Sequence, residues 1–298
     1  MEINKTIISS YVSTENCERY LNNVTKRIKR LEDRFFEEFE KDVSKNTLGT
    51  YAIFMLEDFS RYTTCPNQDR VLQHKSLLYW SKLAKAFYHL AYHVGIEVSV
   101  TFRDTPVKHM GVPYRSHMGF SDWLNTYSVF RILRDQQGLN ILENITDSAM
   151  DRADSSWHIL NKNMLYFLCN LNEEPKKREA YLIAAIKSTH PDSGEYLQEA
   201  LAVEYVTYLY EPLLFVYEAL LRKNEVDFNT QLIEALTRHK TYYDTKKDNR
   251  CDDYKGWISW RLLGVTALAY DLGIKIKVKS DYIPEWIYKG EFNNSTHE

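Results

Sequence analysis

The chain has 298 residues, of which 44% are hydrophobic and 27% are charged, and its formal net charge at pH 7 is −3. This composition is typical of a folded globular protein and excludes an intrinsically disordered chain. Lys and Arg are scattered without a basic patch, and no run of about 18 apolar residues occurs. We therefore expect neither a nucleic-acid partner nor a membrane-spanning helix.

The residue types predict helices and a reducing compartment. Tyr is abundant at 22 residues, whereas Gly and Pro, which interrupt helices, number only 10 and 7. Cys17, Cys65, Cys169 and Cys251 form no CxxC pair, so we expect reduced thiols rather than a zinc site or a disulfide framework. The first residues lack a basic stretch followed by an apolar one, so we expect no signal peptide and a cytoplasmic location.

Apolar residues three and four apart predict one long helix over residues 15–45. Its stripe consists of Leu21, Val24, Ile28, Leu31, Phe35, Phe39 and Val43. Further helices are predicted over 48–62, 69–94, 122–137, 155–171, 176–188, 195–221, 227–243 and 254–272, with a short last turn after Pro284. The predicted fold class is all-α, as one large multi-helix domain over residues 1–298.

Single residues mark several boundaries. Ser121 is the predicted cap and Gly138 the predicted end of the helix over 122–137. Pro212 is expected to kink or break the helix that contains it. The segment 101–120 has two Pro, two Gly and no helical period, so it is predicted to be an irregular linker.

Two segments echo each other, LAYHVGIEVSV at 90–100 and LAYDLGIKIKV at 268–278. One interpretation is a shared local stop, in which a left-handed Gly ends each helix and the following Ile folds back on it. The other is a duplication that gives two stacked helical halves, 1–115 and 116–298. In both interpretations 96–100 and 274–278 are very short extended segments, and the echo is structural rather than chemical.

Side chains with catalytic potential form no recognised motif. His89 and His93 are four residues apart, so both rings would face one side of a helix, with Glu97 or His109 as a third zinc ligand. Leu90 stands where the HExxH motif needs Glu, and histidines at a helix end explain the pair more simply. We expect no metal, no cofactor and no enzymatic activity, with a helical metal-dependent hydrolase as an alternative.

Two polar regions are candidate partner-binding surfaces. Asp147, Asp151 and Asp154 would share one helical face, although such a face is more often only a solvated surface. Residues 239–260 interleave aromatic and charged side chains, namely Tyr242, Tyr243, Tyr254, Trp257, Trp260, Arg250, Asp252 and Asp253. Interface hot spots favour Tyr, Trp and Arg. We nevertheless favour a loop with its rings packed inward, because Trp257 and Trp260 would lie on one helical stripe.

The C-terminal third contains three pieces in a specific order. They are His239, Lys240, Tyr242 and Tyr243 at a helix end, then Leu268, Ala269, Tyr270, Gly273 and Ile274, then Ser280, Asp281, Tyr282, Ile283 and Pro284. In this order and spacing the segment resembles the end of immunity protein family 49 of bacterial polymorphic toxin systems. A second family of toxin-neutralising helical proteins ends in a comparable aromatic-plus-Pro pattern.

The resemblance implies a cytoplasmic protein that binds a cognate toxin domain and blocks it without chemistry of its own. Because many secreted antibacterial toxins are nucleases with basic clefts, it points to acidic contacts. The candidates are Asp147, Asp151, Asp154, Glu173 and Glu174, together with Tyr242, Tyr243, Arg250, Asp252 and Asp253 of the aromatic segment. The alternative from another class is a helical-repeat scaffold or regulator that binds an ordinary cellular protein.

Overall fold

The computed structural model describes residues 1–4, 13–42, 47–102, 105–153, 158–193 and 200–292. This part of the chain is all-α, as predicted, with only short strands. Its helices are α1 (Thr14–Arg30), α2 (Phe36–Lys41), α3 (Thr47–Thr63), α4 (Arg70–Tyr92), α5 (Phe120–Leu133), α6 (Gln136–Glu143), α7 (Asp147–Arg152), α8 (Ile159–Cys169), α9 (Pro175–Ser188), α10 (Ala200–Tyr205), α11 (Glu211–Leu221), α12 (Glu225–Tyr243), α13 (Trp260–Asp271) and α14 (Glu285–Tyr288).

Four short strands form two small sheets. β1 (Glu2–Ile3) lies parallel to β4 (Lys279–Ser280), which ties the first described residues to the end of the fold. β2 (Glu97–Thr101) and β3 (Pro106–Met110) form an antiparallel hairpin. Within the described ranges, no helix is both long and apolar enough to cross a membrane.

The helices pack around one large core, with α5 and α13 among its most buried elements. Both helices are buried along most of their length, as expected for helices that are apolar on nearly all sides. Their backbones approach closely where Gly264 of α13 faces Ser128 of α5. A Cβ atom on Gly264 would lie only 2.8 Å from the Ser128 Cβ atom. This contact sets the spacing of the two central helices.

The helix predicted over 15–45 is interrupted by a π-helical turn at Leu31–Phe35, between α1 and α2. Val24 and Ile28 are buried, as the apolar stripe predicts. A π turn is wider than an α-helical turn and shifts the residues that follow it around the axis. Phe36, which is not part of the predicted stripe, is consequently only 2% exposed.

Cys17 and Cys65 form a disulfide that joins the start of α1 to the end of α3. The expectation of four reduced thiols is therefore wrong for this pair. The two cysteines are 48 residues apart in sequence, and the packing of α1 along α3 brings their Cα atoms to 5.6 Å. A small second core surrounds the disulfide, formed by Tyr20, Val24, Ile28, Tyr62 and Trp257. Cys169 and Cys251 are free thiols.

The prediction of an irregular linker over 101–120 is wrong for β3. In the hairpin, Val98 lies opposite His109, and Val98 and Val100 are buried while their strand neighbours are exposed. This alternation is typical of a strand with one buried face. The sequence gives a weak signal because β3 depends on its partner strand, and because Pro106 occupies its first position, where Pro is tolerated.

The helix predicted over 122–137 is two helices, and its predicted boundary residues have other roles. Gly119 rather than Ser121 is the N-cap of α5, and Ser121 lies inside the first turn. α5 ends before Arg134, which is left-handed with φ of 55°. Gly138 lies inside α6, where a Cβ atom would come within 2.5 Å of the Phe130 ring. Close packing, rather than a helix end, explains this glycine.

Both echoed segments end their helices with a left-handed glycine, as predicted, since Gly95 and Gly273 have φ of 75° and 83°. Only the second has the predicted stop. After α13, the Ile274 N–H donates to the Ala269 carbonyl at 3.0 Å, the long-range bond of a Schellman motif. After α4, the Ile96 N–H instead closes a tighter turn, and the chain enters β2.

Residues 274–278 do not pair with a strand in the described part of the chain. They run beside α12, where the Asn229 amide donates to the Lys275 carbonyl at 2.9 Å and accepts from the Lys277 N–H at 2.7 Å. One side chain thus replaces a strand partner. The two echoes have different surroundings, and the division into halves stays a prediction.

The break predicted at Pro212 takes the form of a π-helical turn over Val206–Tyr210, directly before α11. Pro212 then lies at the start of α11, and the Thr207 carbonyl, five residues before it, accepts a hydrogen bond from the Arg238 side chain at 3.0 Å. The helices predicted over 48–62, 69–94, 176–188 and 227–243 are present as α3, α4, α9 and α12, with bounds within two residues.

Candidate partner-binding surface

The aromatic and charged segment after α12 folds into two 3-10 turns, Lys247–Asp252 and Tyr254–Gly256, which lead to α13. Asp248 and Asn249 are left-handed, with φ of 53° and 54°. Asp and Asn adopt this conformation more readily than other residues with a side chain. The turns explain why α13 starts later than the helix predicted over 254–272.

The structure brings Tyr242 and Arg250 together. The Arg250 guanidinium lies 4.1 Å from the centre of the Tyr242 ring and donates hydrogen bonds to Glu204 and Asp248. Lys247 donates to the second Glu204 oxygen at 2.6 Å. Hydrogen bonds from Lys247 and then Arg250 lower the pKa of Glu204 below its usual value. Arg250 is only 8% exposed, so its charge stabilises the loop through these internal contacts.

Tyr243 packs inward. It is 3% exposed, and the centre of its ring lies 4.8 Å from that of the His239 ring. The Gly256 backbone packs against it so closely that a Cβ atom on Gly256 would lie 2.6 Å from the Tyr243 Cβ atom. Trp257 and Trp260 are each 2% exposed. The inward-packed interpretation of this segment is confirmed for these three rings.

Asp252 and Asp253 are the exposed acidic residues at the end of the first turn. Asp253 accepts a hydrogen bond from the Lys255 backbone N–H at 2.9 Å, which caps the second turn. The Asp252 side chain makes no hydrogen bond and no ion pair with any described residue. Its carboxylate is therefore open to an external partner.

Asp147 and Asp151 lie one turn apart on α7, and both are exposed. Thr146 caps α7, so neither aspartate is used as the cap. Neither carboxylate pairs with a cation in the described ranges. Asp154, the third member of the predicted set, lies outside the described residues.

Glu173 and Glu174 precede α9. Glu173 forms an ion pair with Lys177 at 3.1 Å, whereas Glu174 is exposed and has no ion-pair partner among the described residues. The predicted acidic set therefore comes from two elements, α7 and the residues that precede α9.

The two histidines considered as metal ligands lie at the end of α4, with ring centres 4.8 Å apart. The His93 Nδ1 atom is 2.9 Å from the His89 carbonyl oxygen. Burial and then the neighbouring His93 lower the pKa of His89. Glu97 pairs with Lys108 at 2.8 Å. In the part of the chain that the structure describes, no three His, Cys, Asp or Glu side chains are grouped so that they could hold a metal ion.

Sequence reasoning missed a buried arginine at the centre of the fold. Arg261, in the first turn of α13, is 9% exposed. Its Nε atom donates to the Asn125 Oδ1 atom at 3.1 Å, and its Nη2 atom donates to the hydroxyls of Tyr205 and Ser121 at 2.7 and 2.9 Å. Its guanidinium carbon also lies 5.1 Å from the centre of the Tyr210 ring.

The Arg261 charge acts on its aromatic neighbours. Burial alone raises the pKa of Tyr205, but the guanidinium of Arg261 and the ammonium of Lys255 outweigh it, so this pKa lies below its usual value. The sequence carried one signal for this cluster, a charged residue directly after a Trp at the start of an otherwise apolar helix. Its partners come from other helices and could not be read from the chain.

Comparison with known proteins supports the resemblance of the C-terminal third. The family model described as Immunity protein 49 matches residues 78–287, more than two thirds of the chain. The match contains both exposed acidic groups and the aromatic loop described above. No curated protein and no solved structure matches the chain significantly. The chain belongs to the Immunity protein 49 family.

Proposed function

We propose that this protein is a cytoplasmic immunity protein that binds the toxin domain of a cognate antibacterial effector and neutralises it by occlusion, without catalysis of its own. The match of the Immunity protein 49 model over most of the chain carries this proposal. The effector would belong to a polymorphic toxin system. The same match favours this function over that of a scaffold or regulator of an ordinary cellular protein, because a protein with that role would have no reason to match a family of immunity proteins.

The proposed contacts are exposed carboxylates without an internal partner. Asp147, Asp151, Glu174 and Asp252 meet this description within the described residues, whereas the charge of Glu173 is compensated by Lys177. A nuclease toxin binds phosphates through Lys and Arg, so its cleft is basic. Unpaired carboxylates on the antidote would speed association with such a cleft and compete with its substrate.

In this proposal the residues of the aromatic loop divide into two roles. Tyr243 and Arg250 are buried and hold the loop in shape. Tyr242 is half-buried, and Asp252 and Asp253 are exposed, so these three would face the toxin. An interface that combines a partly exposed aromatic ring with flanking charges fits the composition of known binding hot spots.

A charge-reversal experiment tests the proposal. The variant Asp147→Lys, Asp151→Lys, Glu174→Lys should lose binding to the toxin domain encoded beside this protein, measured by calorimetry, and should fail to protect cells that express that toxin. Close charge pairs across an interface couple by about 1.5–7 kcal/mol, so we expect a loss of about 100-fold or more.

The matched control reverses three exposed carboxylates on α1 and the π-helical turn, in the variant Glu15→Lys, Glu18→Lys, Asp33→Lys. Glu15, like Asp147, lies in the first turn of its helix, so both variants lose a similar favourable interaction with the helix dipole. Circular dichroism would show that both variants fold. Equal affinity of the test variant and the control for the toxin would contradict the proposed contacts, and no binding by the unmodified protein would contradict the function.

A further inference from the structure

A small cavity lies beside Arg261, where α12, α13 and the loop between them meet. Its polar lining comes mainly from Asn125, Tyr208, His239, Lys255, Trp260 and Arg261, and no Asp or Glu among the described residues lines it. The space open to the centre of a water molecule is about 20 Å³, which suits one or two waters or one small group. The cavity is thus small, and the charged side chains that line it in the described part are cations.

Arg261 brings a charge that forms no ion pair with a carboxylate of a described residue. A guanidinium stays protonated at any physiological pH. Its hydrogen bonds in the described part go to one amide oxygen and two hydroxyl oxygens, and its Nη1 atom makes none. Lys255 forms no ion pair with a described residue either. Buried charges in proteins are normally paired, so the buried Arg261 guanidinium, with the half-buried Lys255 beside it, favours a counter-charge at this site.

Two further donors at this cavity lack an acceptor. The Nδ2 atom of Asn125 and the Nε1 atom of Trp260 are fully buried and have no hydrogen-bond partner in the described part. Asn125 is 4% exposed and Trp260 is 2% exposed. Because the Asn125 Oδ1 atom already accepts from Arg261, the amide orientation is fixed and its N–H groups remain unused. A buried donor without an acceptor is unfavourable, so an acceptor from outside the described residues, either a water or an anion, would stabilise this region.

We propose that this cavity binds a small anion, and that a carboxylate group of the size of formate fits it best. A carboxylate offers two oxygens with about four acceptor positions. Asn125, Trp260 and the Nη1 atom of Arg261 supply the donors, and Lys255 adds the second positive charge. Water would satisfy the donors but would leave both cations without a counter-charge.

The neighbouring cavity on the side of α3 and α4 shows why the anion belongs beside Arg261. That cavity is also lined by Asn125, but its lining includes the acidic Asp122 and its neighbour His117 together with several aromatic rings. An anion there would meet a like charge. The two cavities differ in sign, and only the one beside Arg261 is suited to an anion.

A formate titration of the full chain tests this inference without the toxin. Ionic strength is held constant with gluconate, whose carboxylate is attached to a polyol too large for the cavity. The indole N–H signal of Trp260 should shift saturably in ¹⁵N-resolved spectra. The best Kd that a ligand of three non-hydrogen atoms can reach is about 0.5 mM, so no saturable shift up to about 50 mM formate overturns the proposal.

Two Trp variants separate this site from a general effect of formate. Trp260→Phe keeps an aromatic ring at this position and removes the unpaired donor, so it should weaken formate binding about tenfold, measured by the rise in melting temperature with formate. Trp257→Phe is the matched control, because its indole N–H already donates to the Cys251 carbonyl at 2.9 Å. Formate affinity that is unchanged in Trp260→Phe, or lowered equally in both variants, overturns the proposal.

A third variant supplies the missing charge from within the chain. Asn125→Asp places a carboxylate beside Arg261 and should abolish the effect of formate on the melting temperature. A formate effect of the same size as in the unmodified protein overturns the proposal. The carboxylate that binds here could come from a dissolved anion or from an acidic side chain of a partner protein. Competition between formate and the toxin domain would identify the partner as the source, and independent binding would identify a dissolved anion.

Discussion

Replacing Gly264 by Ala should destabilise the protein, because the glycine allows α13 to lie against α5. The added Cβ atom would be 2.8 Å from the Ser128 Cβ atom, 2.9 Å from its Cα atom and 3.1 Å from its carbonyl oxygen. Non-bonded carbon atoms prefer about 3.5–4.0 Å. Two of the three atoms belong to the backbone, so the rotation of a side chain cannot relieve the contact and the helices must separate.

Two opposing effects set the magnitude. Ala is favoured over Gly inside a helix by about 1 kcal/mol. Overpacking of a well-packed core costs about 1–3 kcal/mol, and this site lies at the upper end because backbone must move. We therefore expect Gly264→Ala to lower the free energy of unfolding by about 1–2 kcal/mol. The Asn125–Arg261 hydrogen bond, one turn before this contact on both helices, should weaken with it.

Urea unfolding followed by circular dichroism and by Trp fluorescence measures this loss. The matched variant is Gly264→Ala with Ser128→Gly, which moves the Cβ atom from one helix to the other and restores the space. The double variant should be more stable than the sum of the two single changes predicts. A Gly264→Ala protein as stable as the unmodified one, or strictly additive effects, would refute the close-packing explanation.

Two further predictions concern the disulfide and a histidine. The Cys17–Cys65 disulfide closes a loop of 48 residues, so its reduction should lower the free energy of unfolding by up to about 4 kcal/mol. Urea unfolding with and without reductant measures this difference, and the Cys17→Ser variant should be insensitive to the reductant. The His74 ring stacks on Phe292, and burial lowers its pKa in the folded protein. As pH falls, His74 is therefore protonated in the unfolded chain before it is protonated in the folded one. The free energy of unfolding should fall as pH drops below about 6.5. His74→Gln should reduce this fall more than the exposed control His158→Gln, and equal curves for both variants would contradict it.

Local signals predicted the helices because the information lies within the helices themselves. The apolar spacing of α4, the Pro at the start of α9 and the left-handed glycine after α13 act over one or two turns. These signals can be interpreted without knowing which distant residues pack against the helix. The boundaries that depended on such signals agree with the structure to within about two residues.

The errors arose where a distant partner decides the conformation. β3 exists because β2 lies beside it, and Cys17 meets Cys65 because α1 packs along α3. Gly138 looked like a helix end, although it is a glycine because the Phe130 ring touches its backbone. The sequence contains each residue of these pairs but not their contact.

The candidate site divides in the same way. Exposed acidic residues at helical spacing could be named from the chain, and Asp147, Asp151 and Glu174 are indeed on the surface. The sequence could not show which carboxylates already have a partner, as Glu173 does. It also could not show that Arg261, Asn125 and Tyr205 meet, because they lie on three different helices.

The most direct test of the proposed function is a titration of toxin activity with this protein. The toxin domain of the proposed cognate effector is assayed at a fixed concentration while the protein is added. An antidote that acts by occlusion should abolish activity at a one-to-one molar ratio and co-elute with the toxin as a stable complex. Full protection by far less than one equivalent, or no complex at any ratio, would contradict occlusion.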